Sequence, residues 1–296
     1  MSESVVILDT GPFRVAVRSR EPRLFDTLDF FYRDCLSSDV DQVFDFDIRL
    51  KKPDNPRRWL RPQILFEVDG SCPFEPQPLE NAFPVYEWGL NWCIATSAHR
   101  YLMLHAGSVA FGDRALILPG TPGSGKSTLS AALQLRGARL LSDEFGIIRP
   151  ERGDLLPMPR AIPLKNASIE AIIAFQPDAQ LGPTYPKTRK GRVRHLRPTD
   201  ASQVRRSEPA LPYWLVFPTY QAGSQTVLQP MARDDAFREL AFNCFNYKLL
   251  GLTAFRSLSA LADRVDSYTL RFSDLDDATA CLAGLAESHA ADRKSG

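Results

Sequence analysis

Residues 118–145, LPGTPGSGKSTLSAALQLRGARLLSDEF, carry the residue types best suited to chemistry in this chain. Gly120-Thr121-Pro122-Gly123-Ser124-Gly125-Lys126-Ser127 satisfies the phosphate-loop pattern G-x-x-x-x-G-K-[ST] at every fixed position. Each residue type has a physical task. Glycines let the backbone curl until successive N–H groups point inward at phosphate oxygens. The helix start that follows favours the same negative charge through its orphan amides and its dipole. Lys126 can reach the β- and γ-phosphates of ATP, and the Ser127 hydroxyl can ligate Mg²⁺. Thr128 extends the expected nucleotide contact into the helix. A plain glycine turn with a surface lysine would need neither the apolar run RALILP before the loop nor the amphipathic STLSAALQLRG after it.

Asp143 and Glu144 directly follow the next strand pattern. If that strand lies beside the one bearing the loop, both carboxylates fall near the γ-phosphate. One could accept a hydroxyl proton and the other could hold Mg²⁺; a solvated acidic turn is the plain alternative. His105 precedes the loop-bearing strand, as a group near the phosphates or as a core histidine. Arg160 and Lys165, in MPRAIPLKN, could add positive charge to a transferring phosphoryl group, or could be exposed loop charges. The run KTRKGRVRHLR has no interleaved aromatics and reads as a solvated loop, from which Lys190 or Arg192 could reach phosphate. Trp88, Trp92 and Cys93 have helical spacing and read as core.

The elements that must position these residues can be read in outline. VVILD and FRVAVRS read as strands, EPRLFDTLDFFYRDCL as an amphipathic helix, and VFDFDIRLK and QILFEVDG as further strands. The proline-rich segment 71–84 reads as a surface linker. VYEWGLNWCIATSAHRYLMLHA suggests a buried helix leading into a strand, and RALILP, STLSAALQLRG and ARLLSDEFGIIRP give strand, helix, strand. PDAQLGPTYPKTRKGRVRHLRP is expected to be a long mobile connection. YWLVFPTYQ and TVLQPM, flanking AGS, suggest a hairpin. A helix near 234–250 closed by Gly251, the strand YTLRFS and a final helix carrying Leu275, Ala278, Leu282 and Leu285 end the chain.

The bulk numbers narrow the classes. The formal charge of +1 over 296 residues lacks the basic excess of a dedicated nucleic-acid binder. Five scattered cysteines offer neither C-x-x-C nor zinc spacing and fit reduced thiols. Glu3 stands where a signal peptide needs positive charge, and no apolar run approaches the roughly 18 residues of a membrane span. A cytoplasmic protein with no membrane partner is expected.

LHAGSVAF followed by ALILPGTPGSGKSTLSAALQLRGARLLSDE resembles the catalytic core of the HPr kinase/phosphorylase family. The flanking EWGLNWCIA (87–95) and PRAIPLKN (159–166) make the chain more similar still to the bacterial HPr kinase-related kinase A proteins. The resemblance implies an α/β fold: an HPr kinase/PEP carboxykinase-like nucleotide-binding core over 85–296, behind a smaller N-terminal α+β region over 1–84. It implies that His105, Lys126 and Asp143 are catalytic, with Asp143 as general base, and that Glu144 lies on or near the metal beside Ser127. The chain departs from true HPr kinases at Thr128, where they have glutamate, at Glu144, usually aspartate, and in PRAIPLKN, which replaces an EIRGLG-type signature. The expected activity is ATP-dependent phosphorylation of a hydroxyl, on serine in a small protein, a peptide or the free amino acid. The alternative is a nucleotide-binding switch or assembly factor with little phosphotransfer. Homo-oligomerisation stays open.

Overall fold

The computed structural model describes residues 3–39, 43–54 and 61–292. The chain opens with a six-stranded sheet. β1 (Ser4–Asp9) pairs antiparallel with β2 (Arg14–Ser19), and α1 (Pro22–Tyr32) then crosses over. The remaining strands are β3 (Leu36–Ser37), β4 (Phe46–Lys51), β5 (Gln63–Val68) and β6 (Gln77–Pro78), in the order β3-β1-β2-β4-β5-β6. Strands β2 and β4 run parallel, as a helical crossover requires. Pro22 sits in the first turn of α1, where its missing N–H costs nothing, and Leu24, Leu28 and Phe31 bury one face.

Helix α2 (Ala82–Ser97) starts inside the segment expected to be a linker, with Pro84 in its first turn. It packs on β4, β5 and α1, so Tyr86 and Leu90 share a core with Ile48, Leu50 and Phe66. That core runs across residue 84 without a break and extends to Met103 and Phe145.

The second sheet is built on the ten-residue strand β7 (Leu102–Phe111), which turns into β8 (Arg114–Pro119). The glycine-rich loop and α3 (Lys126–Leu135) follow. The stretch expected as one strand divides into β9 (Arg139–Ser142) and β10 (Phe145–Ile148), with Asp143 and Glu144 on the bend between them. Both pair with β7, and β11 (Leu155–Leu156) extends β10.

The expected mobile connection is instead a small sheet. β12 (Ile162–Lys165) leads to α4 (Ala167–Phe175), and β13 (Leu181–Thr188) and β14 (Gly191–Leu196) form a hairpin beside it, ordered β12-β14-β13. Pro183 and Pro186 are tolerated because β13 is an edge strand that need not donate on both sides.

After α5 (Asp200–Val204), β15 (Leu211–Tyr220) joins β8 in parallel. The expected hairpin partner, β16 (Val227–Pro230), does not pair with it. Strand β17 (Asp266–Phe272) inserts between them, parallel to β15 and antiparallel to β16. The helix expected over 234–250 is broken into α6 (Arg233–Phe242) and α7 (Tyr247–Leu250), and α8 (Leu252–Arg264) adds a helix outside the expected set. At the break, Asn246 accepts from the Met103 amide (3.1 Å) and donates to the Tyr101 carbonyl (2.7 Å), tying the segment to the start of β7. Helix α9 (Leu275–Asp292) closes the described chain.

The fold is therefore mixed α/β with mixed sheets. Alternate residues of β8 and β15 face opposite layers: Leu116, Leu118, Trp214 and Val216 pack with α3 and α9, and Ile117 and Leu215 with α6 and α8. Burial on both faces is why RALILP reads as a continuous apolar run. Among the described residues no helix is long and apolar enough to cross a membrane.

Candidate functional site

The site assembles because β7 lies between the two strands that carry it. Ser108 of β7 pairs with Ile117 of β8 on one side and Ser142 of β9 on the other. Both neighbours are antiparallel to β7, so β8 and β9 run in the same direction and leave the sheet at the same edge. Gly120 begins its loop three residues after Ile117, and Asp143 comes one residue after Ser142. His105 sits at the same edge, paired with Phe145. The expected adjacency of loop and acids thus arises across an intervening strand rather than between direct neighbours. Helix α3 can lie close over this edge because Gly107 has no side chain; a Cβ there would stand 2.3 Å from Ser130 Oγ.

Gly125 caps α3 in the left-handed region (φ 93°), with Lys126 as the first helical residue. The Ser124 carbonyl accepts from the Tyr220 amide (3.1 Å), which pins the loop to the end of β15. Thr121, Pro122 and Gly123 are exposed, and Ser124, Ser127 and Thr128 half-buried. Lys126 is buried and its Nζ donates to the loop's own carbonyls, Gly120 at 2.5 Å and Thr121 at 3.1 Å. Burial lowers its pKa, while the negative charges of Asp143 and Glu144 oppose that shift.

Asp143 is only 6% exposed, yet neither carboxylate oxygen receives a hydrogen bond. Burial, reinforced by repulsion from Glu144, pushes its pKa up to about 7. Ser127, Lys126 and Lys165 pull the other way without cancelling the shift. The Ser127 hydroxyl is near enough to act on the carboxyl but does not reach hydrogen-bonding geometry. The backbone bracing the acids is well satisfied: Ser142 Oγ accepts from the Phe145 amide (3.3 Å), and the Leu141 carbonyl accepts from the Met158 amide (2.6 Å).

His105 stacks on Phe245, with ring centroids 5.3 Å apart and planes 11° apart. Burial and the neighbouring Lys126 charge lower its pKa, so the imidazole is neutral near pH 7. Lys165, half-buried at the end of β12, acts electrostatically on Asp143, Lys126 and His105. Arg160 lies in the wall of the Asp143 cleft but is committed elsewhere. It pairs with the Glu87 carboxylate and donates to Asn91 Oδ1 (2.6 Å) and the Glu87 carbonyl (3.0 Å).

The cleft holding Asp143 and Glu144 measures ≈ 30 Å³ and is walled by Glu87, Trp88, Asn91, Arg160 and His195. His195 was not singled out in the sequence, because its surroundings read as a basic loop. It is buried, both ring nitrogens are unpartnered, and it sits among Phe31, Phe83 and Tyr185. The inward alternation of Val193 and His195 along β14 is the signal that could have found it. Trp92, expected in the core, is 39% exposed, whereas Cys93 is buried as expected.

Among the described residues no cluster of three or more His, Cys, Asp or Glu could hold a metal by itself. Mg²⁺ ordinarily takes one or two protein ligands and completes its shell with phosphate oxygens and water. Ser127 and Glu144 could supply that partial set. Chemically, the arrangement offers a charged ammonium and helix-start amides on one side of a desolvated, proton-hungry carboxylate.

These features define a mixed α/β chain with a glycine-rich strand–loop–helix unit facing a buried acid. No protein-family model matches the chain, and no curated protein matches it significantly.

Proposed function

We propose that the chain is an ATP-dependent phosphotransferase of the HPr kinase-like type, moving the γ-phosphoryl group to an aliphatic hydroxyl. The observation that carries this reading is Asp143: a buried carboxylate with no hydrogen-bond donor, poised near neutrality beside Lys126 and Ser127. A carboxylate left unpartnered in a water-poor cleft carries a desolvation cost that structure alone does not require.

In this reading the loop amides and the start of α3 hold the β-phosphate, and Lys126 turns from its own carbonyls to the β- and γ-oxygens. Mg²⁺ held by Ser127 and Glu144 would neutralise charge shared between those oxygens. Asp143 takes the proton of the acceptor hydroxyl as its oxygen bonds to the γ-phosphorus. The bond from that phosphorus to the bridging oxygen breaks, and ADP leaves with the electron pair. Lys165 stabilises charge on the transferring group. His105, neutral and stacked on Phe245, positions the edge of the phosphate site rather than contributing a charge. Arg160, held by Glu87, fixes the cleft wall.

The test is label transfer from γ-³²P-ATP to proteins and peptides in a lysate by the purified chain. Transfer that disappears in Asp143→Asn, with nucleotide affinity retained, supports the reading. Binding and cellular function that both survive Asp143→Asn but not Lys126→Ala would replace it with a nucleotide-dependent switch.

A further inference from the structure

Beside the Asp143 cleft, with Glu144 in its wall, lies a second, larger space. It measures ≈ 330 Å³, within the size range of ligand sites, and shares Trp88, Asn91 and Glu144 with the Asp143 cleft. The two spaces thus adjoin through shared walls. No residue of the loop 120–128 lines either space.

The walls have a definite chemistry. Phe74 from the N-terminal unit and Val85, Trp88 and Trp92 from α2 make the apolar side. The opposite rim is the β13–β14 turn, which brings Arg189 and Lys190. Lys190 Nζ stands 5.7 Å from the centre of the Trp88 ring, a cation–π arrangement that draws the turn over α2. Both cations are exposed in the turn; partial desolvation and then the positive charge of Lys165 lower the Lys190 pKa, against the opposing charge of Glu144. The rim therefore favours an anionic occupant, and the exposed face of Trp92 favours an apolar one.

Size separates the acceptor classes. The cleft at Asp143, ≈ 30 Å³, has room for little beyond the hydroxyl-bearing tip of one side chain. A free amino acid would leave the ≈ 330 Å³ beyond it unfilled. Resting on the phosphotransferase reading above, we infer that this groove docks the acceptor as an acidic peptide segment, whose apolar residue packs on Trp88 and Trp92 while a neighbouring carboxylate meets Arg189 and Lys190. The N-terminal unit thereby gains a role, since Phe74 completes the apolar wall.

The experiment measures binding, so it does not depend on turnover. Two fluorescein-labelled peptides share a central serine with leucine on each side; one carries glutamates beyond the leucines, the other lysines. Fluorescence anisotropy should show the glutamate peptide binding the wild-type chain at least about tenfold more tightly, as charge complementarity across a partly desolvated rim allows. Trp92→Ala should weaken it by a similar factor through lost apolar contact. Arg189→Glu combined with Lys190→Glu should reverse the preference toward the lysine peptide, a gain that a misfolded variant could not produce. Equal binding of the two peptides, or a preference unchanged in the double variant, overturns the inference. Selective binding without label transfer from ATP would instead remove the phosphotransferase reading and leave the groove as a peptide site.

Discussion

Arg160 and Glu87 form an ion pair whose side chains are only 8% and 6% exposed, joining the segment ahead of β12 to helix α2. The pair is braced on both sides. Tyr32 of α1 donates to the other Glu87 oxygen (2.7 Å) and accepts from the Ala161 amide (2.9 Å), and Arg160 also reaches Asn91. Two helices of the N-terminal core, α1 and α2, are thus locked to the wall of the Asp143 cleft by one buried polar network. Glu87→Ala would strand a buried guanidinium, since arginine does not give up its proton. Breaking one side of such a pair costs about 3–5 kcal/mol, so urea denaturation should show a loss of that order. Replacing both partners, Glu87→Leu with Arg160→Met, should recover most of it.

Asp143 should govern both rate and stability, with opposite signs. In the proposed transfer it would act as base only when ionised, and burial raises its pKa to about 7. Turnover should therefore rise with pH between about 6 and 8, and Asp143→Asn should lower it by about 10²–10⁴. For stability, the folded carboxyl holds its proton more tightly than the unfolded one, so stability falls as pH rises from the usual carboxylate range through about 7. Asp143→Asn removes that loss. Its melting temperature should exceed the wild type's at about pH 8, by up to about 4 kcal/mol in free energy, and match it at about pH 4. An unchanged melting temperature at the higher pH would mean that the carboxylate is solvated.

The division between what the sequence revealed and what it concealed follows the range of the interactions. The glycine-rich loop was legible because its apolar strand, glycines and helix are consecutive, and the acids were legible as the end of the following strand. Hidden was the insertion of β7 between β8 and β9, a pairing set by tertiary contacts. The same applies to β17, which separates β15 from β16 although AGS suggests a local turn. The β13–β14 hairpin was obscured by Pro183 and Pro186, which signal loops in general but are harmless on an edge strand. Its misreading concealed His195 and the rim formed by Arg189 and Lys190.

Gly125 should be the least replaceable residue of the loop. Its φ of 93° disfavours any side chain, and an added Cβ would stand 3.0 Å from Phe272 Cζ and 3.2 Å from Tyr220 Cβ. Tyr220 and Phe272 end the neighbouring strands β15 and β17, so they cannot yield without moving the sheet edge. Gly125→Ala should cost about 1–3 kcal/mol in thermal unfolding and displace the amides at the start of α3. Binding of a fluorescent ATP analogue should fall at least about tenfold. Lys126→Ala should lose the same affinity with little loss of stability, because its ammonium contacts only two loop carbonyls. Equal binding by the wild type and both variants would show that the loop does not hold a nucleotide.

His195 predicts an acid sensitivity of its own. Burial, with Arg160 and Lys165 nearby, lowers its pKa to about 3, and three aromatic rings surround it. In the unfolded chain the ring takes up a proton near its ordinary value of about 6.5, so unfolding binds a proton that the native state refuses. Stability from this source is fully present above about pH 6.5 and drains away as pH falls toward about 3. His195→Phe would keep an aromatic body in the cage and remove both unpartnered nitrogens. Chemical denaturation at about pH 7 and about pH 5 should show the wild type losing about 1–2 kcal/mol more than His195→Phe over that interval. Equal losses would place a water or an unseen polar partner on the imidazole. A larger loss in the variant would mean that the histidine is protonated in the folded chain, contrary to the cage around it.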